Sequence, residues 1–214
     1  AACHVVFFAQ DNGVAMKLAP LIAEQGVKVI DLSADFRFRN PADYRQWYGM
    51  DHAAPHLCSA AVYGLPELHR SDISGAQIVG NPGCYTTTSI LGLAPLVANA
   101  LIDPDTIIID GKSGISGAGR SKFAQDYHFP EANESVTAYK AGGSHRHTGE
   151  IEQELGLLCG KDLKVTFSPH IVPMTRGILT TSYARLTESK DADTLRCLYR
   201  DYYAGSSFVV ISDG

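Results

Sequence analysis

No two cysteines in this sequence stand at the spacing of a metal ribbon or a redox couple. The five are Cys3, Cys58, Cys84, Cys159 and Cys197, odd in number and far apart. That excludes C-x-x-C chemistry and a disulfide framework at this size, and it points to a reducing, cytoplasmic setting. Long hydrophobic runs are also missing. The most apolar stretch, Ile90 to Ile102, is broken by Gly92, Pro95 and Asn99, so nothing approaches the ~20 residues of a membrane span. Positive charge is in short supply, with 18 Lys and Arg against 23 Asp and Glu, net −5. A nucleic-acid partner needs a basic face and a membrane surface needs a basic cluster, so neither is expected. There is no G-x-G-x-x-G, no internal repeat and no low-complexity tract.

What remains is an ordinary globular composition, 45% hydrophobic and 19% charged over 214 residues, enough for one large domain or two small ones. Val5 to Ala9 is β-branched and aromatic and begins with almost nothing before it. A chain that starts inside a sheet is expected to be part of a longer one. Val14, Leu18, Leu21 and Ile22 follow at helical spacing, with Gly26 as a closing residue. Val27 to Leu32 is then a second strand. Strand, helix, strand in about thirty residues is a βαβ unit and implies a parallel sheet. Residues 40–70 read as irregular. Ile78-Val79 predicts a strand, Asn81-Pro82-Gly83 a tight turn, and Tyr85 to Asn99 a helix that Pro95 kinks or splits. Further strands are expected at 106–109, 136–140, 165–168, 178–186 and 208–211, with helices from Thr148 and over 191–203. The βαβ pattern gives way to a mixed one near Asn81–Cys84, which sets the expected domains at 1–83 and 84–214.

Cys84 carries the strongest local signal. A strand, a Pro-Gly turn, a cysteine and then a helix place the thiol at a helix N-terminus. Orphan N–H groups and the macrodipole favour the thiolate there, a good nucleophile toward an activated carbonyl. The competing reading is a small buried residue in a tight turn. His145-Arg146-His147 with Glu150 is the second signal. Glu150 lies three residues past His147 and is placed to orient a ring, as in a Cys-His pair. The same three side chains also suit a metal ion, although no second Cys/His cluster completes a zinc site. A solvated basic helix cap is the bland alternative. Gly111-Lys112-Ser113 fails as a P-loop, because the required earlier glycine falls at Thr106. The Ser113–Arg120 stretch is instead a loop whose glycines permit close approach by a ligand. Arg37, Arg120 and Arg176 are candidate anion binders, each also readable as a surface ion-pair residue. Tyr63, Tyr139, Tyr199, Tyr202 and Tyr203 read as packing or interface residues.

At Val79-Gly80-Asn81-Pro82-Gly83-Cys84-Tyr85 the sequence resembles the active-site signature of the N-acetyl-gamma-glutamyl-phosphate reductase family. Further matches follow in order: Asp31-Leu32-Ser33-Ala34-Asp35-Phe36-Arg37, Tyr63-Gly64-Leu65-Pro66-Glu67, Ser113 to Arg120, Ala138-Tyr139-Lys140, His145-Arg146-His147-Thr148, Glu150 to Leu155, and Pro169 to Ile178. The resemblance implies an α/β fold. Residues 1–83 would be part of a doubly wound, Rossmann-like parallel sheet that binds NADPH. Residues 84–214 would be an α+β catalytic and oligomerisation domain with a mixed sheet, in a homo-oligomer (dimer or tetramer). It implies that Cys84 attacks an acyl phosphate and forms a thioester, with a histidine of the His145/His147 pair, His147 preferred, as acid/base and Glu150 orienting it. Arg37, Ser113, Tyr139 and Arg120 would contact substrate. Ser33, Ser113, Gly114, Ser116 and Gly117 would lie at the cofactor, and no metal is implied. The family's Gly-rich phosphate turn would lie upstream of Ala1, and its last strands and C-terminal helix beyond Gly214. Three positions depart from the family pattern: Thr86, where proline is usual, Thr88, where a small residue is, and Gly149, where proline is common.

Two other readings stand beside this one. The first is a folded but inactive catalytic or assembly fragment of the enzyme, or a reductase of a related lysine-pathway acyl phosphate. The second is a metal-binding protein built on His145, His147 and Glu150.

Overall fold

The computed structural model describes residues 3–119 and 124–213. The chain divides into two compact units, Ala1–Gly83 and Cys84–Gly214.

The first unit is built on four parallel strands: β1 (Val5–Phe8), β2 (Lys28–Asp31), β3 (Val62–Tyr63) and β4 (Ile78–Gly80). Their order is β1-β2-β4-β3. Parallel neighbours need a crossover, and α1 (Ala15–Ala23) supplies it between β1 and β2. Its small inner residues Ala15 and Ala19 let it lie close on the sheet, where Met16, Phe8, Val29, Phe36 and Ile78 complete the core. Gly26 adopts φ +72° and turns the chain into β2. The start of α1 is capped from a distance. The Asp35 carboxylate accepts from the Gly13 N–H at 2.8 Å and from the Met16 N–H at 2.9 Å. It satisfies donors that the helix leaves open and sits where the dipole favours a negative charge.

Residues 40–70, expected to be irregular, hold three helices: α2 (Ala42–Tyr48), α3 (Pro55–Cys58) and the first part of α4 (Pro66–Gly75). Each is too short to show a helical period, and α3 and α4 begin on prolines, which suit a first turn. Phe38, Tyr44 and Cys58 form a second small core there. Burial pushes the Cys58 thiol up to about 11, which keeps it a packing residue.

The second unit holds a mixed sheet of β5 (Ile108–Ser113), β6 (Thr137–Ala138), β7 (Thr166–Ile171) and β8 (Ile178–Tyr183), ordered β6-β7-β5-β8. β5 runs parallel to β7 and antiparallel to β8. It extends four residues beyond the expected end because pairing on both edges outweighs the poor strand propensity of Gly111 and Lys112. Helix α5 (Cys84–Ala98) packs on β8 and on α7 (His147–Cys159). Of the kink or the two helices end to end expected at Pro95, the second does not occur: one helix runs through it. Proline removes the N–H that would bond the Leu91 carbonyl. Tyr203 fills that vacancy, its hydroxyl donating to the Leu91 oxygen at 2.6 Å, and Tyr199 donates to Gly92 O alongside. Tyr199 belongs to α8 (Ala192–Tyr202) and Tyr203 follows it directly. The strand expected at 208–211 does not form. No strand pairs with that segment, and Phe208 and Val210 stay 95% and 88% exposed. Among the described residues no helix is long and apolar enough to cross a membrane.

Candidate active site

Cys84 is the first residue of α5 and its side chain is exposed. The strand-turn-helix sequence before it is local, so this position follows from the chain itself. The next residue, Tyr85, is 2% exposed and forms the centre of the cluster. Its ring lies edge-on to Phe167 at 5.3 Å, to His145 at 5.8 Å and to His147 at 6.3 Å between centroids. Its hydroxyl donates to the His170 carbonyl at 2.8 Å, and the side chains of Tyr139 and Ser113 adjoin its oxygen. Gly111 makes the space for the ring. A Cβ there would stand 2.6 Å from Tyr85 Cε1, far inside van der Waals contact.

His145 and His147 open α7, with ring centroids 4.7 Å apart. Both are buried, and Glu150 in the same first turn is fully buried. The His147 N–H donates to His145 Nδ1 at 3.1 Å. That nitrogen is therefore an acceptor and the ring is the neutral Nε2–H tautomer. Burial pushes the His145 imidazole down to about 3, helped by the positive charges of His147, Lys140 and Arg146. The unfolded chain binds a proton at His145 near pH 6.5 while the folded chain does not. Stability contributed by the neutral ring is therefore complete above about pH 6.5 and is lost as pH falls toward 3. We expect His145→Gln to flatten the acid limb of a urea-melt series across that window. An acid limb as steep as that of the parent would refute the assignment.

Tyr139 follows β6 and lies 5.6 Å from the His145 ring. Burial pushes its phenol up, and, because the one Tyr85 proton is on the His170 carbonyl, Tyr139 is the donor in the pair with Tyr85. Ser113 ends β5, 4% exposed, its hydroxyl donating to Gly114 O at 3.0 Å. Beyond it the loop of Gly114, Ser116 and Gly117 is held by backbone bonds to the segment around Arg176: Gly114 N–H to Gly177 O at 2.9 Å and Ser116 N–H to Thr175 O at 3.1 Å. A cavity of about 740 Å³ adjoins this loop, lined by Ser116, Gly119, Tyr127, His128, Phe129 and Arg176 among others. Among the described residues no three His, Cys, Asp or Glu side chains group as a metal site requires.

Cys84, Ser113, Tyr139, His145 and His147 thus meet around one tyrosine in the second unit. Ser33 and Arg37 belong to the first unit, at the carboxyl end of β2. The Arg37 Nε donates to Asn81 O at 2.7 Å, three residues before Cys84 in the chain. Asp31 beside them is fully buried. One carboxylate oxygen accepts from the Ser33 N–H at 2.9 Å, and burial pushes the acid up from the ordinary range. Arg120 lies outside the described residues. Sequence reasoning missed Tyr85 as a functional residue, and its adjacency to Cys84 was the available signal. It also missed Gly111, for which no local signal exists.

Residues 84–214 match the semialdehyde dehydrogenase dimerisation domain, and residues 1–76 match the semialdehyde dehydrogenase NAD-binding domain. The chain is 53% identical over 206 residues to the N-acetyl-gamma-glutamyl-phosphate reductase of Moorella thermoacetica, covering 96% of this chain and 59% of that protein. It is 54% identical over 205 residues to the enzyme of the same name from Desulforudis audaxviator, with 96% and 59% covered. The chain therefore spans about three-fifths of the length of these curated relatives. Among solved structures, aspartate semialdehyde dehydrogenase II from Vibrio cholerae superposes with a TM-score of 0.66 at 17% identity, over 91% of this chain and 59% of that one. The Candida albicans aspartate semialdehyde dehydrogenase, solved with NADP, gives 0.64 at 16% identity, over 94% and 56%. At those identities the likeness speaks for the fold alone. The strand-turn-cysteine-helix, the two units and the two domain matches converge, and the chain belongs to the semialdehyde dehydrogenase family.

Proposed function

We propose that this protein carries the catalytic core of an enzyme that reduces N-acetyl-gamma-glutamyl phosphate to the corresponding semialdehyde with release of phosphate. The observation that carries the reading is the identity above 50% to relatives bearing that name. The grouping of Cys84 with Ser113, Tyr139 and two histidines supports it. Residues 1–83 serve in dinucleotide binding, and residues 84–214 in catalysis and oligomerisation as a homo-oligomer. The setting is the cytoplasm, where Cys84 stays reduced.

In this reading the Cys84 thiolate attacks the acyl carbon and the carbon–oxygen bond to phosphate breaks, leaving a thioester. The open N–H groups at the start of α5 stabilise the oxyanion that forms on the way. His147 acts as acid and base at the carbonyl oxygen. The neutral, acceptor-bound state of His145 supports this choice, because that ring holds no spare proton to give near neutrality. Glu150 orients the pair. Arg37, Ser113, Tyr139 and Arg120 contact the substrate, with the arginines suited to its phosphate and carboxylate. NADPH fits the residues present. The cavity beside the glycine loop has room for a nicotinamide end and offers Arg176 and backbone polar groups. Ser113, Gly114, Ser116 and Gly117 would hold that end, and Ser33 would serve in the first unit. When bound, the cofactor would supply hydride to the thioester carbon; the carbon–sulfur bond then breaks, releasing the semialdehyde and returning the Cys84 thiolate.

The test is phosphate release and NADPH oxidation by the intact protein, with N-acetyl-gamma-glutamyl phosphate compared against aspartyl phosphate. Preference for the N-acetylated substrate is expected. Turnover of aspartyl phosphate alone would overturn the substrate assignment.

A further inference from the structure

Tyr85 lies against both histidines and adjoins Tyr139 and Ser113. Its phenol has one proton, and that proton is given to the His170 carbonyl at 2.8 Å. Its oxygen can then only accept from Tyr139. The chain of hydrogen bonds has a fixed direction, Tyr139 to Tyr85 to the His170 backbone. The Tyr85 ring cannot swing to reverse it. It is 2% exposed, bounded by Phe167 at 5.3 Å, and seated over Gly111, where even one carbon would strike it. Tyr85 is also the residue after Cys84, so the backbone that carries the nucleophile carries this acceptor.

We infer that Tyr85 is a positioning residue: its hydroxyl takes the Tyr139 proton into a one-way hydrogen bond, so that Tyr139 meets the substrate only as a hydrogen-bond acceptor. An acceptor at that place suits a substrate that carries an amide N–H, as an N-acylated amino acid does. The inference rests on the function proposed above for its kinetic consequence, though not for its physical core.

The test is a double-mutant cycle in the intact protein. Tyr85→Phe keeps the ring and its packing and removes the acceptor together with the bond to the His170 carbonyl, a bond that Tyr139→Phe leaves in place. It is expected to raise KM for the acyl phosphate about tenfold, the scale of one misdirected hydrogen bond, with kcat nearly unchanged. Tyr139→Phe should do the same, and the double variant should be no worse than Tyr85→Phe alone, because both break one shared interaction. Additive losses, or kinetics of Tyr85→Phe equal to the parent, would overturn the inference. A second readout needs no turnover: NMR of labelled tyrosine ring carbons follows the Tyr139 titration. Its midpoint should fall in Tyr85→Phe, since the protonated phenol has lost its acceptor. An unmoved midpoint also overturns the inference, whereas a moved midpoint in a protein that does not reduce the acyl phosphate would count against the proposed function only.

Discussion

With the function proposed above, Cys84→Ala is expected to abolish turnover, with kcat down by on the order of 10⁴-fold or more, because the covalent step then has no substitute nucleophile. Cys84→Ser is expected to fare little better. A serine hydroxyl is a far weaker nucleophile near neutrality, and the start of a helix favours an anion that serine does not readily form. Substrate binding should survive in both, since Ser113, Tyr139 and the histidines remain in place. Mass spectrometry gives the sharper reading. The intact protein incubated with acyl phosphate and no NADPH should gain one acyl group on the peptide containing Cys84, and the alanine variant should gain none. Acylation of the alanine variant, or of Cys159 or Cys197 instead, would remove Cys84 from the nucleophile role. Cys58 is no rival, being buried with its thiol pushed up to about 11.

The second large effect concerns stability. Gly80 ends β4, and a Cβ there would lie 2.1 Å from the Phe36 carbonyl oxygen and 2.5 Å from its carbon. Both are backbone atoms, so no side chain can rotate away. The chain segment they belong to is fixed twice over. The Phe36 ring is in the core of the first unit, and the Asp35 carboxylate caps α1. Gly80→Ala therefore forces β4 away from this segment, at a cost of about 3–5 kcal/mol, the upper end for a single substitution. Arg37 shifts with it, because its guanidinium is anchored on Asn81 O, next to the altered strand end. Urea denaturation should show a lowered midpoint with an unchanged slope for the unit that unfolds. A midpoint equal to that of the parent would mean that the close approach of Phe36 relaxes freely. Gly75→Ala is the control: it ends α4 with nothing within 4 Å of the added carbon.

The parts of the fold legible in the sequence were those carried by local pattern. The short run Val5–Phe8, the helix behind it and the strand at Lys28–Asp31 announce a βαβ unit through two apolar periods and one glycine. The helix beginning at Cys84 was legible because a Pro-Gly turn introduces it. Residues 40–70 were not, because helices of four to ten residues stabilised by their surroundings leave no period to detect. The far end of β5 was hidden for a different reason. Gly111 and Lys112 are poor strand formers, and only ladders on both sides hold them extended. At Pro95 the local rule lost to a distant tyrosine that accepts the task of bonding a freed carbonyl.

The sequence by itself determined the chemistry available: one thiol at a helix start, two histidines with an acid behind them, a glycine loop and a net charge of −5 without a basic cluster. Each of these is a statement about neighbours in the chain, where spacing and backbone preference are enough. Only the tertiary structure decided which of them act together. Tyr85 joins Tyr139, Ser113 and the histidine pair across separations of 28 to 62 residues, a set by positions alone that no period or motif encodes. Burial and a backbone donor then left the His145 ring neutral. Desolvation and hydrogen-bond direction depend on what packs around a group, and in this chain what packs around Tyr85, the residue after the cysteine, comes from distant parts of the chain.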